Sequence, residues 1–600
     1  MQLSPIPEFG TPRRMFVLAL VVTVAVAVMM WFYNRVVFGL SLGDTDDAMR
    51  LVLVRELVHG KGWWDQLELR LQPPMGVYMH WSRLIDGALA ALRSLFELVG
   101  MSPGRAEVAI RVLWPNLWIV PTVTSAFVIA RRFGGGAAVF ACALIAVTDL
   151  ALYVQYRPGR VDHHSIQISM CLISLAFAIH ADKRRRWALM AGAATGVGLC
   201  IGLEALAFEA LIGAGIALRF AFEPRQAKRA MAYALGLGAT TVLAFLIQTP
   251  PWRWGVVACD AIAFNLVATI VTASAGLALA VRLTRGRSLP VRLGGLVALG
   301  AVSLGVYLGL DPNCRHGIFA DVDPRIVPIW LKNVQEVRTW FKLAKVDAED
   351  AITLAMPCLL GVAAWAWLGR EPAGRKDFAW LLAGACLFAG LVAGMAAVRM
   401  ASYAEWFAVP LIAAAAADFA RRYAKNLMIP AAVIALVASP IAVTGAGIGV
   451  HKVLFPPKPK PKGIPDHCFE IRPYALLRDA APVGLVLSEV DLGPLILAHT
   501  PHSALAGPYH RMSWGIMAAR GAMALPADKG AEAETRKLGA TYVLECRAHG
   551  NHTDREGLTK DSLMKRLDND KPPAWLERLS DPKAVLQVYR VRPPGSGPVS

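Results

Sequence analysis

The sequence predicts a polytopic α-helical membrane protein with a soluble α/β domain at its C-terminal end, and three observations carry that prediction. The 600 residues are 56% hydrophobic and only 18% charged, too apolar for a water-soluble chain of this length. The apolar residues come in blocks of about 18 to 25, the helical length that crosses a hydrocarbon core of ~30 Å. Basic residues concentrate in short connections between alternate blocks, and the chain turns polar after residue 450.

In order, a polar N-terminal tail over 1–15 precedes a first span near 16–38. That span runs straight into a long loop without the small-residue cleavage pattern of a secretory signal. Further spans fall near 107–130, 135–155, 164–181, 187–203, 205–221, 229–249, 256–281, 291–309, 350–369, 378–397, 401–419 and 428–447, about thirteen in all. Arg13-Arg14, Arg131-Arg132, Lys183 to Arg186, Arg225 to Arg229, Arg282 to Arg292, Arg370 to Lys376 and Arg421 to Lys425 occupy alternate connections and so share one side. The positive-inside rule makes that side cytoplasmic, with the N-terminus, and an odd span count puts the C-terminal domain outside. These loops also explain the net charge of +18; they lack the aromatic interleaving of a nucleic-acid surface, so no nucleic-acid partner is expected. The layout is that of a bacterial inner-membrane protein with a periplasmic tail domain.

Within the membrane domain (16–450), two outer loops are long, at about 39–106 and 310–349. Gly76 to Leu98 is amphipathic and suited to the membrane surface. Pro456-Pro457-Lys458-Pro459-Lys460-Pro461 is a stiff spacer to the domain at 451–600. There, strand-like runs (Val483 to Leu487, Thr541 to Leu544, Ala584 to Tyr589) alternate with helical ones (Ser513 to Ala522, Ala531 to Leu538). Of nine cysteines, Cys142, Cys171, Cys200, Cys259, Cys358 and Cys386 lie in apolar runs and read as core residues. Cys314 lies in a loop, and Cys468 and Cys546 are candidates for a bridge in an oxidising compartment.

The residues able to do chemistry cluster on the outer side. Asp44, Asp46 and Asp47 follow the first span, with Arg50 behind them; carboxylates this close repel unless solvated, capping a helix or neutralised by a cation. Asp162-His163-His164, after Arg157-Pro158-Gly159-Arg160, offers carboxylate and imidazole to a divalent metal such as Mn²⁺ or Mg²⁺, or else is a solvated helix start. In the second long loop, Asn333-Val334-Gln335-Glu336 precedes Val337-Arg338 on an amphipathic stretch. Arg399 stands where two late spans meet outside, with Tyr403 one turn on; its guanidinium either snorkels or grips a lipid phosphate in fork geometry. Glu204 falls at an outer turn, whereas Glu209 lies inside a span, where a carboxylate is a functional candidate by default. Tyr509, His510 and Arg511, in Gly507-Pro508-Tyr509-His510-Arg511, either serve an acceptor site or form a turn.

With these pieces placed, the chain resembles the GT-C glycosyltransferases, and among them the STT3-type oligosaccharyltransferase catalytic subunits. Those have thirteen spans, a cytoplasmic N-terminus and an outer soluble domain. Their first outer loop carries an Asp six residues before an Arg, as Asp44 stands before Arg50; Asp46 is an alternative register. Asp162-His163-His164 is similar to the archaeal D-H-H form of their metal motif, and Asn333 to Glu336 to their S-V-x-E or T-I-x-E motif. Arg399 is similar to a late-span arginine that contacts the donor pyrophosphate. The W-W-D-Y-G motif that reads the N-x-S/T acceptor has no counterpart after residue 450; Trp63-Trp64-Asp65 lies in the first loop and is followed by Gln66.

The resemblance implies a metal-assisted enzyme moving a sugar or oligosaccharide from a polyprenyl-(di)phosphate donor to a glycan, lipid or protein acceptor, with membrane lipids around it. Asp44, Asp162, His163 and His164 would hold the metal, one of Asp44, Asp46 or Asp47 would act on the attacking group, and Arg399 with Tyr403 would bind donor phosphate. Two other readings stand beside it: a metal-free GT-C monosaccharide transferase acting on lipid A, polysaccharide or lipid, and a transporter or flippase. Transporters tend to place charge near the bilayer midplane and to show repeat symmetry, whereas here the polar residues concentrate in outer loops and the span count is odd.

Overall fold

The computed structural model describes residues 11–33, 42, 44–370, 377–423, 428–456, 467–547 and 557–594. Most of the proline-rich spacer therefore lies outside the described residues. Among them, eight helices are long and apolar enough to cross a membrane.

α1 (Pro12–Tyr33) is followed by two helices that stay at one end of the bundle, α2 (Thr45–Val58) and α3 (Arg83–Leu98). A small antiparallel pair, β1 (Leu67–Glu68) and β2 (Val77–Tyr78), lies between them. α4 (Pro103–Thr148) joins two predicted spans into one element whose axis breaks at Gly135, where φ is +69° and ψ −155°, a conformation that needs glycine. Then come α5 (His164–Ala178), α6 (Arg185–Ile201), α7 (Leu206–Phe222), α8 (Ala227–Gln248), α9 (Phe264–Thr284), α10 (Leu289–Leu310), α11 (Ala348–Leu368), α12 (Phe378–Ala396) and α13 (Ala401–Tyr423). The last predicted span divides into α14 (Met428–Val437) and α15 (Pro440–Leu454). Ser439 caps α15 by accepting from the Ala442 N–H at 3.2 Å, and Pro440 fills the first helical position, where no donor is needed. With α4 counted as two and α14–α15 as one, the thirteen predicted spans are accounted for.

α13 is the centre of the bundle, with 89% of its apolar window buried, whereas no residue in the apolar window of α10 is fully buried, which puts that helix on the perimeter. Small residues set the closest crossing, between α6 and α8. A Cβ on Gly192 would lie 2.1 Å from the Tyr233 carbonyl oxygen, and one on Gly236 2.2 Å from that of Leu189. The predicted basic connections meet at the end opposite α2 and α3. Arg132 pairs with Asp377 at 2.7 Å, Arg219 with Asp182 at 3.8 Å, and Arg292 donates to the Ala221 carbonyl at 2.7 Å.

The C-terminal domain is built on a five-stranded sheet of order β4-β3-β5-β7-β6: β3 (Leu485–Ser488), β4 (Ser503–Ala504), β5 (Ala540–Cys546), β6 (Leu576–Arg578) and β7 (Leu586–Val591). β3 runs parallel to β4 and β5, and β7 antiparallel to β5 and β6. Cys468 and Cys546 form the expected bridge. The sheet does not stand apart from the membrane domain. Leu71, Met79 and Trp81 share one buried core with Val486, Leu505 and Tyr509, and Leu71 bridges Ala504 at the β4 edge.

One cysteine assignment is corrected. Cys259 is bonded to Cys314, whereas the other five apolar-run cysteines are free and buried. α8 ends at Gln248 and α9 begins only at Phe264, so the apolar residues around Cys259 form a loop at the cap end rather than the start of a span.

Candidate active site between the bundle and the C-terminal domain

A cavity of about 470 Å³ lies where the cap-end loops meet the C-terminal domain, and its lining includes Asp46, His163, His164, Glu204, Glu336 and Arg399. The acidic run after α1 proves to be a helix start. Asp44 caps α2, its Oδ1 accepting from the Asp46 and Asp47 N–H groups at 2.9 and 3.0 Å, and its Oδ2 pairs with Arg160. Asp47 is buried and accepts from the Val161 and Asp162 N–H groups at 2.6 and 3.0 Å, which pins the next loop onto α2. Asp46 is thereby left on the cavity wall, with no side-chain hydrogen bond among the described residues.

Arg50, one turn further, is fully buried. It bonds Asp86 at 2.7 Å and Asp162 Oδ1 at 3.3 Å, and its guanidinium lies 4.5 Å from the centroid of the Trp81 ring. Asp162 is thus oriented from behind by Arg50 and met in front by two imidazoles: His163 Nδ1 contacts Oδ1, and His164 Nε2 is 3.2 Å from Oδ2. The other nitrogen of His164 is 3.0 Å from Glu204, whose second oxygen pairs with Arg399 at 2.9 Å. Glu204 links α5, the α6–α7 turn and the α12–α13 connection in one network.

Burial and neighbouring charge divide the carboxylates of the site. Burial, followed by the carboxylates of Asp162, Asp44 and Glu336, pushes the Asp46 carboxyl well above its ordinary range. Burial would do the same to Asp162 and Glu204. For Asp162 it is outweighed by His163, His164 and Arg50, and for Glu204 by Arg399 and His164, so both are held below the usual range. Asp162 Oδ2 is buried without a hydrogen bond, and the ligand atoms of Asp162, His163 and His164 lie within 4.8 Å of one another. A carboxylate and two imidazoles with an unsatisfied buried oxygen fit a divalent cation.

The remaining predicted residues divide. Glu336 sits on the cavity wall, and its loop is tied to the Arg399 turn through the Val398 N–H, which donates to the Arg338 carbonyl at 3.0 Å. Arg338 itself folds back onto the Asn333 carbonyl. Tyr403 lies behind the wall, stacked on Phe208 and donating to Gln167 at 3.3 Å. Glu209 is deep among α5, α6 and α7, accepting from Ser174 and Thr195 at 3.1 and 2.7 Å, away from the cavity. Trp63 and Trp64 both donate to the Ile247 carbonyl, a structural role that takes the W-W-D string out of acceptor reading.

On the opposite wall the predicted Tyr509, His510 and Arg511 are joined by two residues that the sequence did not single out, His80 and Asp260. Arg511 grips Asp260 with two bonds of 2.7 Å, and His510 Nε2 lies 2.6 Å from the same carboxylate. His80 packs on His510 with ring centroids 4.5 Å apart. Burial, then His510 and Arg511, hold His80 well below the ordinary imidazole range, while His510 and Arg511 outweigh burial to keep Asp260 low. The Tyr509 hydroxyl donates to the Thr45 carbonyl at 3.3 Å, which sets this wall next to Asp46. Glu204, Arg160, His80 and Asp260 are the additions to the predicted set. Asp260 carried a faint signal, a carboxylate at the edge of an apolar run; His80 carried none.

No family model and no curated protein matches the sequence. Solved structures do match the fold. The oligosaccharyltransferase of Archaeoglobus fulgidus in its apo form is similar with a TM-score of 0.66 at 15% identity, over 90% of this chain and 70% of that one. The same protein tethered with an acceptor peptide containing the NVT sequon gives 0.62 at 15%, over 90% and 70%. Its complex with Zn and sulfate gives 0.58 at 14%, over 89% and 68%. The fold of this chain is therefore the GT-C fold with a C-terminal α/β domain, in the layout of an oligosaccharyltransferase.

Proposed function

We propose that this protein is a multi-pass membrane glycosyltransferase that transfers a sugar or oligosaccharide from a polyprenyl-(di)phosphate donor to an acceptor on the non-cytoplasmic face. The observation that carries the proposal is the wall on which Asp46, Asp162, His163 and His164 stand beside the Glu204–Arg399 pair, at the helix ends opposite the basic loops. Arg399 offers a fork of N–H groups to a phosphate arriving with its lipid tail between helices. Glu204 sets the direction of both Arg399 and His164, a supporting role of the kind that metal and phosphate sites depend on.

Asp162, His163 and His164 would hold the divalent cation, with Asp46 as the carboxylate facing them; Asp44 is already engaged by the α2 N–H groups and Arg160. When bound, such a cation stabilises charge on the departing phosphate. The acceptor would enter from the His80–His510 side and attack the anomeric carbon, while the polyprenyl phosphate leaves with the bonding electrons. With no W-W-D-Y-G string after residue 450, the acceptor is read by other residues, and its class is left to the product. A metal-free monosaccharide transferase on the same fold is the second reading, favoured only by that missing motif.

The test compares envelope glycans and polyprenyl-linked sugars, by mass spectrometry, in cells lacking the chain and in cells complemented with it. The expected result is a lipid-linked sugar that accumulates in the deletion, is consumed on complementation, and stays unconsumed with Asp162→Asn. A complemented Asp162→Asn strain indistinguishable from wild type would overturn the site, and activity in membranes that survives exhaustive chelation would move the protein to the metal-free reading.

A further inference from the structure

The wall facing the proposed donor site brings together three side chains from segments remote in the chain. His80 comes from the first long loop, Asp260 from the α8–α9 loop and His510 from the C-terminal domain. Their ligand atoms all lie within 4.8 Å of one another, and all three line the cavity. We propose that they form a second divalent-cation site, selective for a zinc-like ion, with its open coordination position toward the cavity.

Two imidazoles and one carboxylate are a donor set that favours zinc over magnesium or calcium, which prefer all-oxygen shells. Three protein ligands with a fourth position left to a small molecule are the arrangement of zinc sites that bind substrate rather than only brace a fold. The carboxylate is fixed independently of any ion. Arg511 takes one lone pair on each Asp260 oxygen, at 2.7 Å, and the Cys259–Cys314 bridge anchors the preceding residue. The second lone pair of Oδ2 faces His510 Nε2, 2.6 Å away. A cation would take the place of the hydrogen shared there. His510 would give up that proton to solvent or carry its single proton on Nδ1, and Asp260 and His80 would complete the set. The charged and titratable groups facing this position include Asp260, Arg511, His80 and His510, with His163 of the other wall acting on His80 and Tyr307 on the side of Asp260; the Phe319 ring closes one side of His510. The guanidinium of Arg511 stays in place behind Asp260, as that of Arg50 does behind Asp162, and its charge lowers the affinity for a cation. If the function proposed above holds, the open position is where an oxygen of the acceptor would be held; the cation site itself does not depend on that reading.

The experiment is zinc titration of the full-length protein in detergent after exhaustive chelation, followed by calorimetry and by metal analysis of the desalted protein. Wild type is expected to bind two zinc ions, and an excess of magnesium should not displace the one at this second site. His80→Ala and His510→Gln should each weaken the second ion at least tenfold and leave the first unchanged. Asp162→Asn should remove the first and leave the second. Both histidine variants keep the Arg511–Asp260 pair, and an unchanged melting temperature shows that they have folded. No zinc bound by wild type, or zinc binding undiminished in the His80→Ala/His510→Gln double variant, overturns the proposal. Loss of the second ion alone, with no ion sensitive to Asp162→Asn, sustains it while overturning the metal role of Asp162.

Discussion

The two walls of the cavity are built in opposite ways. One is assembled almost entirely from short contiguous strings: the carboxylates after α1, Asp162-His163-His164, and Arg399, joined by Glu204. The other gathers His80, Asp260 and His510 from places separated by up to 430 residues, and holds them around one arginine–carboxylate pair. The first wall is attached to the membrane helices, the second to the C-terminal domain and the disulfide-tethered loop. The difference implies a division of labour, with the bundle fixing the lipid-phosphate end of the reaction and the soluble domain setting what approaches it.

The sharpest way to break the first wall is from behind. Arg50→Ala leaves Asp86 with Arg83 alone, at 3.3 Å, and Asp162 with its two imidazoles, and removing one partner of a buried network costs about 3–5 kcal/mol. Thermal unfolding in detergent should show a large drop in melting temperature, and the second wall should not rescue it. An unchanged melting temperature would mean that Arg50 does not hold the loop of Asp162. Next in size is Asp46→Ala, expected to lower transfer by about 100-fold or more while the protein still inserts and melts normally, because Asp46 bonds nothing else among the described residues. Asp44→Ala should instead reduce stability by about 1 kcal/mol through loss of the α2 cap. If that variant lost transfer and Asp46→Ala did not, the roles of the two would be exchanged.

Glu204→Gln tests the link between the cation and phosphate halves of the first wall. It keeps the shape but not the charge, and should weaken cation affinity by about 10–100-fold. Binding of polyprenyl phosphate, read by native mass spectrometry, should weaken in parallel; loss of one without the other would show that the two halves are independent.

An effect that depends on pH lies outside both walls. Burial, with Glu56 beside it, raises the Glu68 carboxyl to about 7. Its folded pKa lies above its unfolded one, so the stabilisation is complete below about 4.5 and is lost as the pH rises through 7. Glu68→Gln should therefore gain about 1–2 kcal/mol at pH 8 and nothing at pH 4.5, with cation binding at both walls unaffected.

The sequence made the bundle legible because span length and loop charge are one-dimensional signals, and the basic connections do meet at one end. It made the first wall legible because Asp162, His163 and His164 are neighbours in the chain. The loop holding Cys259 and Asp260 was hidden by its own hydropathy. Val256, Val257, Ala258, Ala261, Ile262 and Ala263 read as the start of a span, yet they form a loop tied down by the Cys259–Cys314 disulfide, with Val256 and Val257 exposed. Asp44 shows the reverse case, where composition suggested a ligand and position made a helix cap. His80 had no local pattern at all; only the fold puts it against His510.

The bridge between Leu71 and Ala504 has a practical corollary. Ala504 donates to the Arg70 carbonyl and accepts from Gln72, each at 2.9 Å, and Arg70 in turn donates to the Thr500 and His502 carbonyls. The first long loop thus closes an edge of the C-terminal sheet. A fragment of residues 467–594 made on its own would expose unpaired strand groups and the apolar half of a divided core, the ingredients of self-association. A truncation meant to keep the C-terminal domain in order must keep the first long loop with it.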